Sequence, residues 1–223
     1  VSTYPATRPS ALSPQALQHH QRLPLRLGIA LSVIMLSSLV LAPAGPTSWL
    51  LEVGPALPGL VLLVVTYRRF PMSHVVYVAV FLHVLILIYG GMYTYAETPL
   101  GNWARDTFGW SRNHYDRVGH LALGVFPCFV VRELLLRRTP LVRGGWLTFL
   151  VLSVILAIGA FWELIEWWAT LVLASDTGTA FLGSQGDVWD AQWDMFLALV
   201  GAAGALWLAR RKHDRSLAVI TDR

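Results

Sequence analysis

The chain reads as an all-α polytopic membrane bundle of about six transmembrane helices, with both termini cytoplasmic. Three observations predict this. Of the 223 residues, 55% are hydrophobic and only 13% charged, giving a mean hydropathy of +0.54. Apolar runs of membrane-crossing length recur along the chain, and arginines gather in alternate connections between them.

The runs cover approximately residues 25–43, 49–67, 74–95, 116–136, 145–173 and 187–209. Each approaches the ~20 residues that a helix rising ~1.5 Å per residue needs to cross a hydrocarbon layer of ~30 Å. Residues 1–24, rich in Pro, Ser, Gln and His, read as a mobile cytoplasmic arm with a short interfacial helix around Pro14 to Gln21; His19 and His20 carry no functional signal. The first run follows Arg22 and Arg26 and ends LAPAGP, which imitates a signal peptide. Its long apolar stretch favours an uncleaved helix. Residues 25–209 form the membrane domain, and residues 210–223 read as a basic, solvated cytoplasmic tail.

Orientation follows from positive charge, which cytoplasmic loops hold in excess. The arm has Arg8, Arg22 and Arg26, the second connection Arg68 and Arg69, the fourth Arg137, Arg138 and Arg143, and the tail Arg210, Arg211 and Lys212. The first connection is uncharged and the fifth holds only Asp176. In the third, Glu97 and Asp106 offset Arg105 and Arg112. The net charge of +4 therefore reports topology and no nucleic-acid partner. The lone Cys128 excludes an internal disulfide or a Cys-rich metal site and reads as a small core residue.

Against this greasy background stand Asp116 and His120, then Glu163 and Glu166, then Asp187, Asp190 and Asp194. An ionisable side chain near the bilayer centre costs roughly 2.5 kcal/mol or more, so it persists where it faces a cavity, a partner or an ion. Spacings of three, four and seven put each group on one helical face. Trp189 and Trp193 fall on the opposite face of the sixth helix, suited to an interfacial aromatic belt. Given the expected topology, all three groups lie in the outer leaflet, with Glu163 and Glu166 roughly 10 to 15 Å below the outer end of the fifth helix. Gly119, Gly124 and Gly159 allow close helix approach there.

Carboxylates sharing a low-dielectric pocket cannot all stay ionised unless a cation offsets them. Oxygen-rich coordination with one imidazole suits a divalent ion such as Mg, Mn, Fe or Zn, held by Asp116, His120, Glu166, Asp187 and Asp190, with Glu163 or Asp194 carrying protons. Glu163-x-x-Glu166 lacks the Glu-x-x-His pairing of di-iron bundles. The competing reading is a carboxylate–arginine network that fixes helix packing, with Arg105, Arg112 and Arg117 as the cations. His83 reads as a satisfied core histidine or an inward extension of the pocket, Glu52 as an interfacial helix-end residue or a member of the site, and His114 as a loop residue. Glu97 shares the His83 face.

The segments YDRVGHLALG, FWELIEWW and GSQGDVWDAQWDM resemble the YjdF-like bacterial inner-membrane proteins over roughly residues 70 to 210. The order Asp-x-x-x-His, membrane glutamate, aspartate pair and Gly-rich helix (VGAAGA) is more distantly similar to VanZ-like membrane proteins, which are linked to the cell envelope. The resemblance implies a multi-pass protein of the bacterial plasma membrane and no particular reaction.

Two functional classes follow. One is a metal-dependent membrane hydrolase or transferase acting on a lipid-like amphiphile, such as a phospholipid or polyprenyl carrier. No GxSxG elbow or P-loop supports a covalent serine route or nucleotide hydrolysis. The other is a carrier of protons or metal ions. Toward the cytoplasm the fifth helix offers only Ser153 and Thr148, so its path would have to run through His83. A structural subunit of an envelope complex is the third alternative.

Overall fold

The structure, a computed structural model, describes residues 14–173 and 175–221. Residues 1–13 of the expected arm lie outside it. The described residues are helical, with no strand among them: α1 (Pro14–Leu41), α2 (Gly45–Val53), α3 (Ala56–Thr66), α4 (His74–Tyr93), a single 3-10 turn (Tyr95–Glu97), α5 (Pro99–Phe108), α6 (Tyr115–Val125), α7 (Pro127–Arg138), α8 (Gly145–Val172), α9 (Ser175–Leu182) and α10 (Asp190–Thr221). Five spans are long and apolar enough to cross a membrane: α1, α4, α6 with α7, α8 and α10. A sixth is α2 with α3, bent by 55°. The bend falls at Gly54-Pro55, where Pro55 lacks a backbone donor. Pro127 likewise separates α6 from α7, although Phe126 still donates to the Ala122 carbonyl at 3.0 Å.

Two apolar clusters hold the helices together. Val76, Cys128, Val151, Ile155, Ala198 and Ala202 join α4, α7, α8 and α10, and Cys128 is fully buried, as a core residue should be. Leu31, Met35, Trp49, Val53, Val84 and Ile88 pack α1 and α2 on α4. The tightest crossing is that of α6 with α10. A side-chain carbon at Gly124 would run into the Ala198 carbonyl oxygen, and one at Gly201 into that of Leu121. Small residues thus let two backbones meet, as van der Waals packing in lipid requires. Gly159 is looser, 3.7 Å from the Ala198 methyl.

Several boundaries differ from the sequence reading: α1 already begins at Pro14, within the expected arm, and others lie around α10. α10 begins at Asp190, so Asp187 sits in the preceding turn, where its Oδ1 accepts from the Trp189 backbone N–H at 3.0 Å. The fifth connection contains α9. At the other end, α10 runs through the expected tail to Thr221 and buries His213, Leu217 and Ile220. It continues because its polar groups find partners: His213 Nε2 lies 3.1 Å from Glu133 Oε2, and Arg132 and Arg143 both donate to Asp214.

Candidate functional site

Asp116 and His120, one turn apart on α6, face α8 and α10. His120 Nε2 lies 3.7 Å from Asp116 Oδ1 and 3.6 Å from Glu163 Oε1 of α8. Asp194 enters from the first turns of α10. Asp116, His120 and Asp194 each offer a ligand atom, and these atoms lie within 4.8 Å of one another. All three residues are buried, Asp194 to 1% exposure. His120 Nδ1, Glu163 Oε1 and Asp194 Oδ1 are buried without a hydrogen-bond partner. Buried polar groups are ordinarily satisfied, so three orphans in one cluster single it out as the candidate site.

The remaining acidic residues are engaged differently. Arg112, itself buried, donates to Asp190 Oδ1, lies 3.5 Å from Asp187 Oδ2 and reaches Asp116 Oδ2 at 4.0 Å. Arg117 donates to Asp187 Oδ2 and stacks over Trp193, 5.5 Å from the ring centroid. Asp187 and Asp190 therefore face arginines, and Arg105 pairs with Asp106 at the surface. Glu166 accepts from Trp162 Nε1 at 2.7 Å, beside the trio but outside it. The stripe that ran Asp187, Asp190, Asp194 splits in two: its outer pair meets guanidinium groups, while Asp194, one turn deeper, does not.

Residues 183–187, the GSQGD segment, hold the arginine end in place. Gly183, Gln185 and Gly186 have φ of +65°, +49° and +85°, the left-handed region that favours glycine. Arg112 donates to the Gly183 carbonyl at 3.3 Å. The Gln185 amide pairs reciprocally with the Asn113 backbone, accepting at 3.0 Å and donating at 2.8 Å. Asn113, fully buried, also bonds the Thr98 carbonyl and Asn102, which ties α5 to the start of α6.

Asp116, His120 and Glu166 open onto a cavity of about 460 Å³, which Glu52, Tyr95 and His83 also line. Glu52 is buried, and the Tyr95 ring wedges between Gly90 and Gly119. His83 borders the cavity with Nε2 unpaired and its ring stacked on Phe126. Glu97 is exposed and bonds Asn102, away from the site.

Residues 24–215 match the profile of a family described as "Predicted membrane protein (DUF2238)". The chain belongs to this family. Among its relatives, "Inner membrane protein YjdF" of Escherichia coli (strain K12) is 45% identical over 170 residues, 76% of this chain and 81% of the relative. No solved structure matches. The family match begins well before the motifs at residues 70 to 210 that suggested it, taking in α1 to α3 as well.

This DUF2238 protein is thus a multi-pass membrane protein with a carboxylate–histidine cluster at one end of its bundle. At the arginine-rich end lies a second polar group that the sequence reading passed over. Glu133 and His213, both fully buried, are bound by Arg137, Arg132 and the Ser73 backbone N–H. His20, expected to be without a role, is buried beside it, stacked 4.2 Å from His74 and 3.0 Å from the Tyr67 hydroxyl. The i,i+4 pair Glu133 and Arg137 was the available signal, hidden among residues that looked like topological anchors. Here Glu133 and His213 are both hydrogen-bonded by arginines, whereas in the Asp116 cluster Arg112 reaches only Asp116, at 4.0 Å.

Proposed function

We propose that the protein resides in the bacterial inner membrane, binds a divalent metal ion through Asp116, His120 and Asp194, and acts there on the polar head of a lipid-like amphiphile. One observation carries this reading: Asp194 belongs to a buried trio with ligand-range spacing, and among the described residues no arginine or lysine pairs with it or with the neighbouring Glu163. Removing charges from water without compensation is costly, and a bound cation would offset that cost where the carboxylates stay ionised. Mixed oxygen and imidazole donors suit Mn, Fe, Zn or Mg.

Asp187 and Asp190 then serve as the counter-charges of Arg112 and Arg117 rather than as ligands. Glu163, with its Oε1 free and 3.6 Å from His120, is placed to accept or return a proton. Glu166, on the cavity wall, is a further ligand or a contact for the substrate head. A metal bound here would polarise an ester or phosphoryl oxygen or activate water for hydrolysis or transfer. By the arginine distribution, the site opens to the outer leaflet.

Metal content of the purified protein tests the reading. The wild type should carry Mg, Mn, Fe or Zn; Asp194→Asn and His120→Ala should lose most of it, while Asp187→Ala keeps it. Wild-type protein free of all four metals would remove the proposal.

A proton or metal carrier is the second reading, favoured by His83 on the same cavity wall as Asp116 and His120. On α8, by contrast, Thr148 and Ser153 point outward and bond only their own helix. Metal or pH flux into proteoliposomes that His83→Ala abolishes would favour the carrier over the enzyme.

A further inference from the structure

The cavity is not a pocket for a headgroup alone. From His120 its wall continues along Leu123, Pro127, Val130 and Leu134 to Arg138, one stripe of α6 and α7. At ~1.5 Å per residue this stripe is about 27 Å long, close to the ~30 Å hydrocarbon thickness of a bilayer. α3 forms the facing wall, and none of its residues is buried. Leu62 on α3 and Leu134 on α7 both line the cavity and are 60% and 41% exposed, so the trough opens sideways toward lipid.

Polar groups sit mainly at its two ends. Glu52, Asp116, His120 and Glu166 lie at one, and Thr66 with Arg138 at the other, where the Arg138 guanidinium rests on the Phe70 ring. Between them the walls are aliphatic apart from His83. An apolar trough open to a bilayer fills with hydrocarbon, because empty walls forfeit their dispersion contacts. An acyl tail entering from one leaflet covers only about half of the ~30 Å core. The trough is nearly twice that length.

We infer that the trough binds a single hydrocarbon chain longer than one leaflet, a polyprenyl-type tail, whose head lies at the Asp116–His120–Asp194 cluster and whose far end reaches Arg138. This names the substrate class of the proposed metal site and rests on that reading for the head, though not for the tail. The anionic head of a polyprenyl phosphate would meet the carboxylates only through the metal, which a binding assay can separate from tail binding.

Gly59 allows the test, since it lines the trough and no atom lies within 4 Å of where its side chain would begin. Gly59→Phe adds a bulky ring at the trough wall without pressing on backbone. The full-length protein would be placed in nanodiscs of phosphatidylethanolamine and phosphatidylglycerol doped with undecaprenyl phosphate, and its retained lipids read by native mass spectrometry. Wild type should retain undecaprenyl phosphate in preference to the diacyl lipids. Gly59→Phe, and Leu134→Trp from the opposite wall, should retain roughly tenfold less or lower still, as losing several methylene contacts implies. Their metal content should not change. Equal retention by wild type and both folded variants, or a wild type that carries only diacyl lipids, overturns the tail assignment and leaves the metal site standing. Undecaprenyl phosphate retained by a metal-free wild type removes the metal reading and keeps the trough.

Discussion

Arg112, in the turn ahead of α6, is buried against Asp190, the first residue of α10, across 78 positions of sequence. This pair joins the turn ahead of α6 to the start of α10, with Asp116 of the candidate cluster 4.0 Å away. Removing Arg112 leaves Asp190 buried without its cation, which costs about 3–5 kcal/mol, whereas without Asp190 the guanidinium keeps Asp187 at 3.5 Å and Asp116 at 4.0 Å. Arg112→Ala should lower thermal stability in detergent strongly, Asp190→Ala less, and the double variant by clearly less than the sum. Additive losses would show that the two side chains are not coupled.

Gly124 and Gly201 set the α6–α10 crossing. Gly124→Leu or Gly201→Leu should overpack it by about 1–3 kcal/mol or more and shift the melting profile on size-exclusion chromatography. Gly204→Leu, on α10 but with no atom within 4 Å of the added carbon, should be tolerated. Equal effects at all three positions would contradict the crossing.

His114 sits 3.4 Å from Arg117 and edge-on to Trp110. Burial first, and then Arg117 and Arg112, lower its pKa below the ordinary 6.5. The unfolded chain then binds this proton more readily than the folded one, so the contribution to stability is full above about pH 6.5 and declines as pH falls toward the folded value. Melting temperatures of His114→Gln, measured from about pH 7 to about pH 5, should fall less on acidification than those of the wild type. Parallel curves would assign the acid limb elsewhere.

His213 is buried against Glu133 and Arg132, at a place that composition reads as tail. Ending the chain at Ala209 removes that partner, and the truncated protein should be several degrees less stable or fail to accumulate. His213→Gln, which retains a donor for Glu133, should be milder than His213→Ala. A truncation as stable as the full chain would return residues 210–223 to the role of a solvated tail.

The arginine distribution predicts cytoplasmic termini. A C-terminal fluorescent reporter that folds only in the cytoplasm should glow, and a phosphatase fusion at the same point should be inactive. The reverse result would turn the cluster to the inner leaflet.

The helical spans were legible because each depends on local composition: apolar runs recur at membrane length, although the breaks at Pro55 and Pro127 inside the second and fourth runs were not anticipated. Asp116 with His120 was legible for the same reason, since a spacing of four residues is one turn. Asp187 reads as helical by pattern, but the glycine-rich turn at Gly183 and Gly186 delays the start of α10. Glu52, Tyr95 and His20 gave no strong signal. Each stands alone in its segment and gains its place only when another helix packs over it.

By itself, the sequence determined a multi-pass helical membrane protein, since hydrophobic transfer and helical periodicity act residue by residue along the chain. Only the tertiary structure decided which carboxylates are neutralised. Asp187 and Asp190 meet Arg117 and Arg112, while among the described residues no arginine or lysine pairs with Asp194 or Glu163 around His120. Electrostatic pairing falls steeply with distance in space and is indifferent to distance in sequence. A difference of one helical turn, invisible in the spacing of identical aspartates, separates a structural ion pair from the candidate metal site.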